Sequence, residues 1–137
     1  MTDEQIKNKQ LIEEYPFLLP KNVFSGEIPK DYDYSYTLLD EIPEGWLKSF
    51  IPDFLKELKE ALIKDNFLND YFILQIKEKW GYLHWYDSGR TELVDKVITK
   101  YEKISQDFCI RCGKEATKMT SGWITYVCDD CYNNPNW

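Results

Sequence analysis

Apolar residues recur every three or four positions in two long segments, which is the spacing of an amphipathic α-helix. Residues 91–108 form one such segment, and Thr91 is its predicted N-cap. Its apolar stripe contains Leu93, Val94, Val97, Ile98, Tyr101, Ile104 and Phe108. Residues 44–65 form the other, with the stripe Ile51, Phe54, Leu55, Leu58 and Leu62. Residues 3–15 predict a shorter helix that Asp3 caps and Pro16 ends.

The hydrophobic period changes from helical to alternating within residues 71–86, which predicts a β-hairpin. Trp80-Gly81 is its predicted two-residue turn, because glycine readily supplies a positive φ. This turn opposes position 79 to 82, 77 to 84, 76 to 85 and 75 to 86. One face is then expected in the core: Phe72, Leu74, Ile76, Leu83 and Trp85. The other face carries Gln75, Lys77, Lys79, Tyr82, His84 and Tyr86.

Residues 16–45 show neither the helical nor the alternating hydrophobic period, and they contain four prolines and two glycines. Segments this long without regular structure are uncommon and are often functional. Two interpretations stay open for this one. It is an ordered wrap pinned to the core by its aromatic residues, or it is a recognition loop that presents tyrosines such as Tyr34 and Tyr36.

These elements, with the two C-x-x-C cysteine pairs within residues 109–131, predict an α+β fold in which helices pack on a small antiparallel β-hairpin, with a zinc ribbon at the C-terminus. Residues 1–108 are predicted to form the core domain, which includes the long loop at 16–45. Residues 109–137 are predicted to form the ribbon. The helix at 91–108 runs directly into Cys109, so the ribbon is expected to be fused to the core without a linker.

The composition is that of a folded chain, with 43% hydrophobic residues and a net charge of −7. No apolar run approaches the roughly 20 residues of a membrane span, and the acidic N-terminus does not resemble a signal peptide. A cytoplasmic location without membrane contact is therefore expected. Residues 1–46 carry 4 basic and 10 acidic side chains, which discourages general contact with nucleic acid.

All four cysteines lie in two C-x-x-C pairs near the C-terminus. Such pairs in a reducing compartment are typical of a four-thiolate metal site. Zinc is the predicted metal, and iron in a rubredoxin-like site stays open. A closed four-sulfur site leaves no position for water, so the metal is expected to be structural. The predicted ligands are Cys109, Cys112, Cys128 and Cys131.

Catalytic motifs are scarce in this sequence. It contains no glycine-rich phosphate loop, nucleophile elbow or H-E-x-x-H motif, and His84 is its single histidine. A non-enzymatic protein is therefore expected. The alternative is a small enzyme that uses carboxylates of the long loop for acid–base chemistry. The candidate carboxylates are Asp31, Asp33, Asp40, Glu41 and Glu44.

The outer face of the hairpin is the best candidate for ligand binding, because it mixes cations with aromatic rings. Rings can stack on a nucleobase while cations meet phosphate. The competing interpretation is a solvated sheet face with lysines along its edge. The predicted contact residues are Lys77, Lys79, Trp80, Tyr82, His84, Tyr86 and Arg90.

The ribbon carries aromatic residues that could instead contact a protein partner or a second copy of the chain. They are Trp123, Tyr126, Tyr132 and Trp137, and their alternative role is simple packing across a small module. Both a protein partner and a homo-oligomer are therefore predicted possibilities. Contact with nucleic acid is the less favoured prediction, because the ribbon is neutral and the whole chain is acidic.

Four stretches resemble a group of small proteins of unknown activity from phages, prophages and gut bacteria. They are YPFLLP at 15–20, DYDYSYTLLDEIPEGW at 31–46, QIKEKWGYLHWY at 75–86, and the tail CIRCG with GWITYVCDDC. The resemblance implies a phage accessory protein in the host cytoplasm, of a kind that blocks a host defence. Such proteins mask a host protein or sequester a nucleotide-derived signal. The alternatives are a nucleic-acid-associated adapter in transcription or replication, and the small enzyme.

Overall fold

The computed structural model describes residues 1–134 and has an α+β architecture with two small antiparallel sheets. Five α-helices occur in the order α1 (Asp3–Glu14), α2 (Glu44–Lys48), α3 (Ile51–Lys64), α4 (Glu92–Ile104) and α5 (Asp129–Tyr132). Strands β1 (Ile73–Lys79) and β2 (Tyr82–Asp87) form one sheet, and β3 (Lys118–Met119) and β4 (Tyr126–Val127) form the other. Short 3₁₀ helices cover Pro16–Leu18, Leu38–Glu41 and Ser105–Asp107. Within residues 1–134, no helix is both long and apolar enough to cross a bilayer.

The core lies between α3, α4 and the β1–β2 hairpin, as the two helical stripes predicted. All five stripe residues of α3 are buried. In α4 the fully buried positions are Val94, Ile98 and Tyr101, while the rest of the stripe is half-buried. The ring of Phe54 lies 4.8 Å from that of Trp85 and 4.9 Å from that of Tyr101, so one aromatic side chain joins the three elements.

The hairpin has the predicted register, with Lys79 opposite Tyr82 and Ile76 opposite Trp85. The predicted core face is wrong at its first positions, because a β-bulge lies between Ile73 and Gln75. The bulge adds one residue and reverses the faces before it. Ile73 is therefore buried at 2% exposure, whereas Leu74 is 37% exposed. Phe72, which was also assigned to the core, is half-buried.

The first helix begins at Asp3, as predicted, but its N-cap is Thr2 and not Asp3. The Thr2 hydroxyl accepts a hydrogen bond from the backbone of Gln5, and the Gln5 side chain accepts one from Thr2. This reciprocal capping box satisfies two backbone N–H groups at once. Ser49 separates α2 from α3, so the segment before Pro52 is a distinct short helix.

The long segment at 16–45 is anchored to the core by buried side chains such as Phe17, Leu18 and Ile42, and its tyrosines pack on one another. The ring of Tyr32 contacts those of Tyr34 and Tyr36 at centroid distances of 5.0 and 5.3 Å, and its hydroxyl donates to the Tyr36 carbonyl. Burial, with the nearby tyrosines and aspartates, raises the pKa of Tyr32 to about 12. The Asn8 amide also donates to the Tyr34 carbonyl, so α1 holds the same loop.

Candidate metal centre and adjacent binding surface

The four cysteines are brought together by two backbone turns on opposite sides of the ribbon. In the first turn, Gly113 donates from its N–H to the Cys109 carbonyl at 2.9 Å and has a φ of 84°. Glycine suits this position because other residues are strained there. In the second turn, Cys128 is the N-cap of α5, and its sulfur accepts the Cys131 N–H at 3.5 Å. Each turn therefore presents two sulfurs.

The sulfur atoms of Cys109, Cys112, Cys128 and Cys131 all lie within 4.8 Å of one another. Cys112 and Cys128 have their sulfurs 3.6 Å apart. Four sulfurs each about 2.3 Å from a central ion in a tetrahedron lie roughly 3.8 Å apart, so this spacing fits one metal ion. All four cysteines are free thiols, and no disulfide joins them. The group can therefore hold a metal as the sequence predicted.

The protein environment favours the thiolate form at one of these cysteines. Burial acts against ionisation of Cys109, but backbone hydrogen bonds at Cys128, Cys112 and Arg111 prevail and lower its pKa to about 6. Burial is the largest cause that raises the pKa of Cys131, to about 12. Thiolates are the forms that bind metal, so the chain releases protons when an ion enters.

The first metal-binding turn is pressed against α2 of the core. Gly45 donates its N–H to the Ile110 carbonyl at 3.0 Å. A Cβ atom added to Gly45 would lie 2.1 Å from the Cys109 carbonyl oxygen, so no side chain fits between α2 and this turn. The Ser49 hydroxyl donates to the Gly45 carbonyl at 2.7 Å and fixes the same backbone. The metal module is thus joined to the core by direct backbone contact.

The ribbon also contacts the turn of the β1–β2 hairpin. The ring of Tyr126 lies 5.7 Å from that of Tyr82, and a Cβ on Gly81 would lie 2.7 Å from the Tyr126 ring. The Tyr82 hydroxyl donates to the Gln106 side chain at 2.9 Å. Tyr82, which the sequence assigned to ligand binding, therefore joins the hairpin to the ribbon.

The strands of the ribbon are short. β3 and β4 have two residues each, and residues 120–125 form the connection between them. Thr120 holds this connection: its N–H donates to the Thr125 carbonyl at 3.0 Å and its hydroxyl donates to the Trp123 carbonyl at 2.7 Å. Trp123 and Ile124 consequently lie in this connecting loop and not in either strand.

Three predicted contact residues do lie together on the outer face of the hairpin. The Lys77 ammonium is 5.6 Å from the ring centroid of Tyr86. The rings of His84 and Tyr86 are stacked at 6.4 Å with an interplanar angle of 17°. The Nε2 atom of His84 lies 3.2 Å from the Lys79 carbonyl, which fixes the imidazole over the strand pair. We call Lys77, His84 and Tyr86 the cation–ring face.

Arg90 belongs to a different, buried network behind the hairpin. Its Nε atom lies 3.0 Å from a carboxylate oxygen of Asp87, whose side chain is 4% exposed. The same oxygen accepts the Tyr71 hydroxyl at 2.6 Å, and Tyr71 in turn accepts the indole N–H of Trp85 at 2.9 Å. Burial and, after it, the hydrogen bond that Tyr71 donates to Asp87 raise the pKa of Tyr71. The guanidinium thus neutralises a buried carboxylate.

Arg90→Ala is expected to lower the free energy of unfolding by about 2 kcal/mol, because Asp87 would keep a buried charge without its cation. Urea unfolding measures the change. Lys48→Ala is the matched control, since Lys48 pairs with Glu44 on an exposed helix face and should cost less than about 1 kcal/mol. Equal losses in the two variants would contradict a stabilising role for Arg90.

A cleft between the hairpin turn and the ribbon loop was not foreseen from the sequence. It has a volume of about 300 Å³ and is lined by Glu78, Lys79, Trp80, Gly122, Trp123 and Ile124. Trp80 is 64% exposed and Trp123 is 77% exposed. The two tryptophans were assigned to separate surfaces because 43 positions separate them in the chain. The ribbon fold is what brings them to one cleft.

The other candidate side chains show less organisation. The five loop carboxylates are exposed; among them, Asp33 accepts the Ser35 N–H and Glu44 pairs with Lys48. Within residues 1–134, the cysteine cluster is the one group of His, Cys, Asp or Glu side chains close enough to share a metal. Tyr132 is half-exposed on α5, and Trp137 lies outside the described residues.

The function of this chain has to be inferred from its own geometry, because comparisons with known proteins gave no match. No protein-family model matches the sequence, and no curated protein or solved structure matches it either. The structure therefore establishes an α+β fold with a C-terminal cluster of four cysteines that can hold a metal ion.

Proposed function

We propose that this chain is a non-enzymatic binding protein that sequesters a nucleotide-like ligand on its hairpin, with a structural zinc ion in the ribbon. The resemblance to phage and prophage proteins supports a role as an accessory or counter-defence protein in the host cytoplasm. The observation that carries the proposal is the cation–ring face, where a lysine and two stacked rings share one exposed surface.

Zinc is the metal that best suits the cysteine cluster. Four thiolates around one ion form a site that zinc accepts in tetrahedral geometry without a redox change. The two C-x-x-C turns supply all the ligands, so the ion supports the ribbon and takes no part in chemistry. The ligand-binding role is therefore assigned to the surface that the ribbon supports.

The cation–ring face offers the two kinds of contact that a nucleotide requires. The Lys77 ammonium and the neighbouring Lys79 ammonium can meet phosphate oxygens, because neither has a carboxylate within ion-pair distance in residues 1–134. The exposed ring of Tyr86, stacked on His84, offers an aromatic surface beside these ammonium groups for contact with the ligand. This combination distinguishes the face from a lysine-only solvated surface.

The double variant Lys77→Ala/Lys79→Ala is expected to weaken binding of ADP by about tenfold or more, since two charge-assisted hydrogen bonds are lost. Isothermal titration calorimetry measures the dissociation constant, and thermal unfolding checks that stability is unchanged. Lys56→Ala/Lys64→Ala is the matched control, because it removes two exposed lysines from α3.

Other outcomes of that titration would overturn the proposal in identifiable ways. Unchanged ADP affinity in the hairpin variant would remove the cation–ring face as the phosphate site. An altered nucleotide recovered after incubation would indicate an enzyme. Strong, salt-sensitive binding of DNA or RNA in preference to mononucleotides would indicate the nucleic-acid adapter. A host protein captured by the wild-type chain, with no nucleotide binding, would indicate masking of a protein partner.

A further inference from the structure

The cleft between Trp80 and Trp123 has the composition of a ring-binding site. Two exposed indoles line it, together with Ile124 and Gly122. Exposed tryptophan is uncommon in folded chains, because a large apolar surface is left in water. The cleft has a volume of about 300 Å³, which is within the range that small-molecule sites occupy.

We propose that this cleft is the base-binding subsite of the nucleotide site and that it takes an amino-substituted base such as adenine or cytosine. The inference rests on the proposed function, because it adds the base to a phosphate site on the same hairpin. It assigns Trp123, a ribbon residue with no role in the cation–ring face, to ligand recognition.

The Glu78 carboxylate can accept a hydrogen bond from the amino group of such a base. Glu78 lines the cleft, and its Oε1 atom accepts the Gly81 N–H at 3.1 Å. A carboxylate accepts further hydrogen bonds, and exocyclic amino groups of adenine and cytosine are suitable donors. The indoles of Trp80 and Trp123 provide stacking surface for the base. The carboxylate therefore favours amino-substituted bases over those with a carbonyl in that position.

The distance from the cleft to the cation–ring face suits the rest of a nucleotide. Lys79 lines the cleft, and Lys77 lies two residues along the same strand and on the same face. Two residues of a β-strand span about 7 Å. A base that stacks on these indoles would thus place its phosphate near Lys79, and further phosphates would extend towards Lys77. The cleft and the two lysines are therefore proposed to form one site.

A cation is the competing ligand class for two tryptophans and a carboxylate, since aromatic cages bind quaternary ammonium groups. The presence of Lys79 in the lining opposes a cation, because like charges would meet at the edge of the cleft. Charge complementarity therefore favours an anionic ligand with an aromatic base.

The test compares AMP, IMP, ribose 5-phosphate and choline as ligands of the wild-type chain and of Trp123→Ala. AMP is expected to bind most tightly, IMP more weakly, and ribose 5-phosphate weakest. Trp123→Ala should weaken AMP by about 5- to 100-fold, because stacking on one aromatic side chain is lost, and should leave ribose 5-phosphate unchanged. Calorimetry gives the affinities, and quenching of tryptophan fluorescence reports the contact.

Phe24→Ala is the matched control, because Phe24 is 96% exposed on the loop at 16–45 and far from the cleft in sequence. Equal affinity of the wild type for AMP and ribose 5-phosphate would overturn the base subsite and leave the phosphate site standing. Equal affinity of the wild type and Trp123→Ala for AMP would also overturn the base subsite and leave the phosphate site standing. Binding of choline in preference to AMP would assign a cation cage, and no binding of any nucleotide would overturn the proposed function as well.

Discussion

Cys109→Ser is expected to abolish stoichiometric metal binding and to unfold the ribbon from residue 109 onward. Structural zinc supplies about 10 kcal/mol or more of folding free energy in comparably small modules. Over residues 109–134 the ribbon has two two-residue strands and few buried apolar side chains to replace that contribution. Metal analysis should fall from one equivalent towards zero, and amide hydrogen exchange should lose protection throughout the ribbon.

The core should remain folded in this variant, because the packing of α3, α4 and the β1–β2 hairpin does not use the metal. Ser121→Ala is the control within the ribbon, since Ser121 is exposed and binds no metal. A chelator added to the wild type should reproduce the exchange pattern of Cys109→Ser. Retained ribbon protection without metal would contradict the structural role, and iron in place of zinc would overturn the assignment of zinc alone.

Gly45→Ala is expected to lower the free energy of unfolding by about 3 kcal/mol, although alanine normally stabilises a helix by about 1 kcal/mol relative to glycine. The added Cβ would lie 2.1 Å from the Cys109 carbonyl oxygen and 2.5 Å from the Ile110 carbonyl carbon. Both are backbone atoms of the metal-binding turn and cannot rotate aside. The turn must therefore separate from α2.

Gly122→Ala is the matched control for this effect. It makes the same substitution in the ribbon loop, where no atom lies within 4 Å of the added Cβ, and φ is +76°. Its cost is limited to backbone strain of about 1 kcal/mol. Urea unfolding of both variants with metal bound gives the comparison. A loss in Gly45→Ala no larger than that in Gly122→Ala would show that the contact between α2 and the turn is not tight.

The periodic parts of the fold could be predicted because their signals are local. The stripe of α3, the cap at Thr91 and the two-residue turn at Trp80-Gly81 each depend on residues within one element or one turn. The cysteine cluster could also be predicted, since two C-x-x-C turns can bind one ion in few arrangements. Such features need no knowledge of how distant segments pack.

Features that depend on packing between distant segments could not be predicted from the sequence. The bulge at Leu74 changes which residues are buried without leaving a glycine or proline to mark it. Arg90 directly follows the hairpin in sequence, yet its guanidinium pairs with the buried Asp87 carboxylate and is not part of the cation–ring face. The cleft with Trp123 lies where the ribbon meets the hairpin turn, beside the contact of the Tyr126 ring with Gly81, and no periodicity encodes that contact.

In the proposed site, ligand affinity and metal affinity would be thermodynamically linked, because its two indoles lie on different modules. Trp80 lies on the hairpin turn, whereas Trp123 lies on a loop of the ribbon whose four cysteines can hold a metal ion. A ligand that needs both indoles would bind the metal-loaded form more tightly, and it would raise the affinity for the metal by the same factor. Bound ligand would therefore lower the metal concentration that fills the cysteine site, and scarcity of the ion would weaken ligand binding.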